Sequence, residues 1–131
     1  MWMSRRSWVL GATAACAAPT WGAAHHSYAM FDLAQTRTVQ GVVAKVEWVN
    51  PHVFIWAYVA RPGGGHDLYA FETDPVSRLV AEGWTKDSLP PGEKVSIEYA
   101  PLKDGRPGGS LRRAKRANGA MLETRASRGR S

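Results

Sequence analysis

The chain has one cysteine in 131 residues, Cys16, and it lies in an apolar run close to the first residue. Once that run is removed no disulfide is available, so a domain of about a hundred residues must be held by its core alone. Acidic residues are missing from the first 24 positions, which contain Arg5 and Arg6. Long hydrophobic runs are missing altogether: the stretch from Trp8 to Ala18 is shorter than the ~20 residues that span a bilayer. Nucleophilic catalysis has no constellation to use, because no nucleophile elbow occurs and no cysteine follows Cys16. That disfavours a hydrolase. Aromatics are absent from the basic stretch near the carboxyl end, which argues against stacking on single-stranded nucleic acid.

What the first 24 residues do contain is a charged, then apolar, then small-residue order, that of a secretory signal. Gly22 and Ala24 supply the small residues for a cut before His25, whereas a cut before Ala24 would place Trp21 at the outer position. Ser4-Arg5-Arg6-Ser7-Trp8-Val9-Leu10 is similar to a twin-arginine export motif, although ordinary signals also carry two arginines. A lipoprotein at Cys16 is the further alternative, with Thr13 where leucine is usual. The expectation is a cleaved signal over 1–24 and a periplasmic or secreted chain that is not transmembrane once matured. Residues 25–100 hold 6 basic and 9 acidic side chains, and residues 101–131 hold 9 and 2. The basic end is expected to be a solvated, disordered tail over 125–131, capable of weak contact with an anionic surface. No specific nucleic acid is expected as a partner.

Residues 39–49 are rich in β-branched side chains, and strict alternation puts Val42, Ala44, Val46 and Trp48 on one face with Lys45 and Glu47 on the other. Gly41 allows a bend, and Asn50-Pro51 ends the strand. Residues 53–59 are apolar on both faces, as in a central strand. The Gly63-Gly64-Gly65 turn leads to a third strand over 67–73. There the period changes: Asp74 suits a helix cap, Pro75 its first position, Val76, Leu79 and Val80 one side, and Gly83 its end. Residues 94–99 alternate again, and Asn118-Gly119 joins two strands over 110–117 and 120–124 as a hairpin. Three strands, a short helix and two or three strands predict a mainly β protein, an OB-like barrel of five to six strands with the helix between strands three and four, over 25–124. An open sandwich or roll is the alternative.

The chain resembles a family of short exported bacterial proteins of unknown function. Four stretches carry the resemblance: His25-His26-Ser27-Tyr28-Ala29-Met30-Phe31-Asp32, Trp48-Val49-Asn50-Pro51-His52, Gly83-Trp84 with Ser88-Leu89-Pro90-Pro91-Gly92, and Pro101-Leu102-Lys103-Asp104-Gly105-Arg106-Pro107-Gly108-Gly109. They cover roughly 25–124. The family supplies no established activity.

His25 and His26 stand at the expected new amino terminus. A free α-amine and the Nδ1 of the same histidine form a chelate ring, and a distant imidazole makes a three-nitrogen set suited to Cu(II). His52, presented after Asn50-Pro51, is the best distant partner, and His26 can join from a turn. A cut one residue earlier would put a histidine third, which also binds Cu(II) or Ni(II). The bland reading is that these are solvated terminal residues and a turn histidine. His66, in the glycine-rich loop, is expected to be exposed, and Met30 to pack in the core. Trp48, Trp56, Tyr69 and Trp84 are candidates for an aromatic ligand groove, against ordinary core packing. The 101–109 segment is expected to be a structural hairpin loop rather than an anion cradle. Three function classes follow: a periplasmic barrel binding copper through His25, His26 and His52; a metal-free barrel binding a small ligand or a periplasmic protein partner; and, third, a copper redox enzyme.

Overall fold

The computed structural model describes residues 28–128. The expected signal peptide, His25, His26 and residues 129–131 lie outside the described residues. Six strands form one sheet: β1 (Arg37–Glu47), β2 (Phe54–Ala60), β3 (His66–Glu72), β4 (Lys94–Pro101), β5 (Gly108–Arg116) and β6 (Met121–Glu123). A short helix, α1 (Val76–Ala81), stands between β3 and β4, and a helical turn, α2 (Arg125–Arg128), follows β6. The strand order is β3-β2-β1-β4-β5-β6, and β3 also pairs with β5, so five strands close into a barrel with β6 as an added strand. The expected OB-like arrangement, including the position of its helix, is the one observed.

Closure is a parallel pairing of Ala70, Phe71 and Glu72 with Gly108, Gly109 and Ser110. The two glycines are required by space. A Cβ on Gly108 would overlap the carbonyl of Ala70, and one on Gly109 would overlap the carbonyl of Ala100. Gly108 also has φ +126°, a conformation that disfavours side chains. Gly108 lets β5 approach β3 at the seam and Gly109 lets it approach β4, because neither residue has a side chain.

Two bulges reset the alternation of the long strands. In β1, Val43 faces Ala57 and Lys45 faces Trp56, leaving Ala44 as the extra residue. Val42 is therefore exposed and pairs with the exposed Tyr58, while Val43 and Val46 point inward. This corrects the expectation that Val42 and Val46 share a face: one inserted residue inverts a period-two pattern. In β5, Glu98 faces Arg113 and Tyr99 faces Leu111, so Arg112 is the extra residue. Leu111 and Ala114 can then both be buried, three positions apart.

The core draws Val43, Ile55, Phe71, Ile97 and Leu111 from the five barrel strands. Leu79 from α1 joins them, together with Trp84 and Leu89 from the connection to β4. Phe71 and Tyr99 meet edge-on with centroids 5.1 Å apart, and burial pushes the Tyr99 hydroxyl pKa up. Asp74 does not cap α1. Pro75 occupies the cap position without a side-chain bond, and the Asn50 side-chain oxygen accepts the Val76 N–H at 3.1 Å. The helix start is thus satisfied from the β1–β2 turn, 26 residues away in sequence. Gly83 follows the helix with φ +88°, as expected of its end.

The Asn118-Gly119 turn joins β5 to β6. The segment before β1 lies against the end of β4: Phe31 bridges Leu102, and Asp32 N–H donates to the Pro101 carbonyl at 2.8 Å. Phe31 is buried, but Met30 is 41 % exposed, so Met30 is not the core residue expected. The 101–109 segment includes the turn between β4 and β5, where the Asp104 carboxylate accepts the Arg106 backbone N–H at 3.0 Å and its Nε at 2.7 Å.

Candidate functional site

A cleft of about 840 Å³ opens beside the barrel seam. Its floor comes from the end of β3 and from β4 and β5, where Glu72, Ser110 and Ala100 form one cross-strand row. The segment around Phe31 walls one side. The Pro51-His52 turn, the start of α1 and the chain after β6 complete the rim. All but the chain after β6 are placed by features described above: the closure at Gly108-Gly109, the Phe31 bridge, and the Asn50 cap that ties the β1–β2 turn to α1.

His52 follows directly from that tie. Its Nδ1 lies 2.6 Å from Glu72 Oε1. A carboxylate only accepts, so Nδ1 carries the proton and donates. In the neutral imidazole this leaves the lone pair on Nε2. The His52 side chain is about a third exposed and the Glu72 side chain less so. A carboxylate fixing one ring nitrogen is the arrangement that orients metal-ligating histidines.

Arg112, the bulge residue of β5, is 5 % exposed and also lines the cleft. Its guanidinium donates to the Thr36 hydroxyl and, at 2.7 Å, to the Leu33 carbonyl. It thereby pins the segment before β1 to the barrel. Thr124 is buried, and its hydroxyl bonds the Leu111 and Arg112 carbonyls. Thr73 is 6 % exposed, lines the cleft, and its hydroxyl has no hydrogen-bond partner among the described residues. Asp74 Oδ2 accepts the Arg125 backbone N–H at 3.4 Å.

Of the residues expected to form a metal site, the structure places His52 on this cleft, while His25 and His26 lie outside the described residues. Tyr28 lines the same cleft as His52. His25 stands three residues before Tyr28 in the sequence. Among the described residues no group of three His, Cys, Asp or Glu could hold a metal. His66 is exposed at the start of β3.

The four aromatic residues are not brought to one groove. Trp84 is 3 % exposed in the core, and its indole N–H donates to the Glu123 carbonyl at 2.8 Å. Tyr69 meets Phe71 and Tyr99 with centroids 5.9 and 6.3 Å away. Trp48 packs partly buried against the core. Trp56 sits in the outward row with Lys45, whose ammonium lies 5.0 Å from its ring centroid. That ammonium also holds the Glu47 carboxyl below its ordinary pKa.

Glu72, Thr73, Asp74, Arg78 and Arg112 were not legible as site residues. Glu72 and Asp74 stand two apart at the end of a strand, a weak signal, and Asp74 alone has the character of a cap. Arg112 had no local signal, since its burial depends on a bulge.

The model of a family described as a family of unknown function, DUF6152, matches residues 12–112. No curated protein and no solved structure matches the chain.

Proposed function

We propose, for a chain that belongs to the family of unknown function DUF6152, that it is an exported β-barrel binding module that holds Cu(II) at the rim of the cleft beside His52. The amine and Nδ1 of a mature His25 form the chelate, and His52 Nε2 supplies the third nitrogen. His26 adds its imidazole as a further donor. The observation that carries this reading is the 2.6 Å contact between His52 Nδ1 and Glu72, on a cleft that Tyr28 also lines. It leaves Nε2 as the binding nitrogen. The donor set is nitrogen-rich and has no thiolate, which suits Cu(II). Export is supported by the order of residues 1–24. No helix among the described residues is long and apolar enough to cross a membrane.

The test is competitive Cu(II) titration of three proteins: one beginning at His25, one with an extra residue before it, and His52→Ala. The first should bind at least tenfold tighter than either of the others. Equal affinities would contradict the reading.

A further inference from the structure

We propose that the same cleft binds a small organic carboxylate, at groups separate from the metal donors. A single copper ion with its nearest ligands fills only a small part of 840 Å³, a volume within the ~300–1,000 Å³ range of small-molecule sites. The lining includes Phe31, Leu111, Ala100 and Pro51, so the ligand presents carbon as well as charge.

The charge of that ligand follows from which lining groups are already committed. Glu72 is engaged by His52. Arg112 is held by Thr36 and the Leu33 carbonyl. Arg78, on the exposed side of α1, and Arg125, at the start of α2, both line the cleft, and neither forms an ion pair among the described residues. Asp74 is the acidic group left to oppose them, and it accepts the Arg125 backbone N–H. With Arg112 and Glu72 counted as well, three guanidiniums against two carboxylates leave the lining one charge positive. Planar guanidinium forks match a carboxylate, bidentately where the geometry allows.

The experiment uses the exported full chain, stripped of metal on a chelating resin so that copper plays no part. Succinate, its neutral analogue succinamide and inorganic phosphate are titrated at constant ionic strength. Binding is followed by backbone amide chemical shifts. Succinate should shift residues around the cleft with a Kd below about 1 mM, whereas succinamide and phosphate should bind at least tenfold more weakly. Arg78→Gln with Arg125→Gln, both at exposed positions, should weaken succinate at least tenfold. Succinate binding no better than succinamide, binding matched by phosphate, or binding unchanged in the double arginine variant would overturn the proposal. Because no metal is present, each outcome is independent of the copper reading.

Discussion

At the residue scale the arrangement turns on Glu72. Its carboxylate decides which nitrogen of His52 carries the proton, and so which one can meet a metal. Glu72→Gln should lower Cu(II) affinity about 10–100-fold while leaving the fold intact, as read by metal competition beside far-ultraviolet circular dichroism. The glycines of the seam make a different kind of prediction. Gly109→Ala forces a methyl group onto the Ala100 carbonyl, and overpacking of this sort costs about 1–3 kcal/mol. Urea unfolding should show the midpoint falling accordingly. His52 was identifiable from its place after Asn50-Pro51. Its partner was not, because the meeting of a turn histidine with the end of β3 depends on how the strands are paired.

At the element scale the sequence pattern was most legible where period and turn chemistry agree. The Asn118-Gly119 hairpin, the apolar run of β2 and the helix between β3 and β4 all follow from local signals. The pattern misled where an extra residue was hidden inside a strand. Ala44 and Arg112 belong to otherwise ordinary strand sequences, yet each inverts the faces that follow it. The start of α1 shows the same limit. Asp74 has the right chemistry and position for a cap, but Asn50 performs the task from across the fold. Asn50→Ala should therefore destabilise the protein by about 0.5–2 kcal/mol, the usual cost of a lost cap, with a smaller effect from Asp74→Ala. Denaturant midpoints of the two variants check the order.

At the scale of the whole molecule, barrel closure accounts for how distant segments come to share one cleft. The segment around Phe31, the β1–β2 turn, the end of β3 and the residues after β6 converge at the seam. No linear motif contains them together. Away from the cleft, Arg116 binds Glu93 through two bonds of 2.9 Å, and this pairing holds the Glu93 carboxyl below its ordinary pKa. A carboxyl whose folded pKa lies below its unfolded one contributes stability above the unfolded pKa and loses it as pH falls through the folded one. Thermal midpoints should therefore drop below about pH 4.5, the ordinary value for the group, and Glu93→Gln should flatten that part of the profile. Arg116 remains charged throughout this range.

The central claim is that an imidazole of the barrel and the mature amino terminus meet on one copper ion. Electron paramagnetic resonance of Cu(II) bound to the chain beginning at His25 reads it most directly, through the nitrogen hyperfine pattern. The account predicts at least three coordinating nitrogens, with one lost in His52→Ala and the spectrum otherwise tetragonal. A spectrum that His52→Ala leaves unchanged would place the copper elsewhere and contradict it.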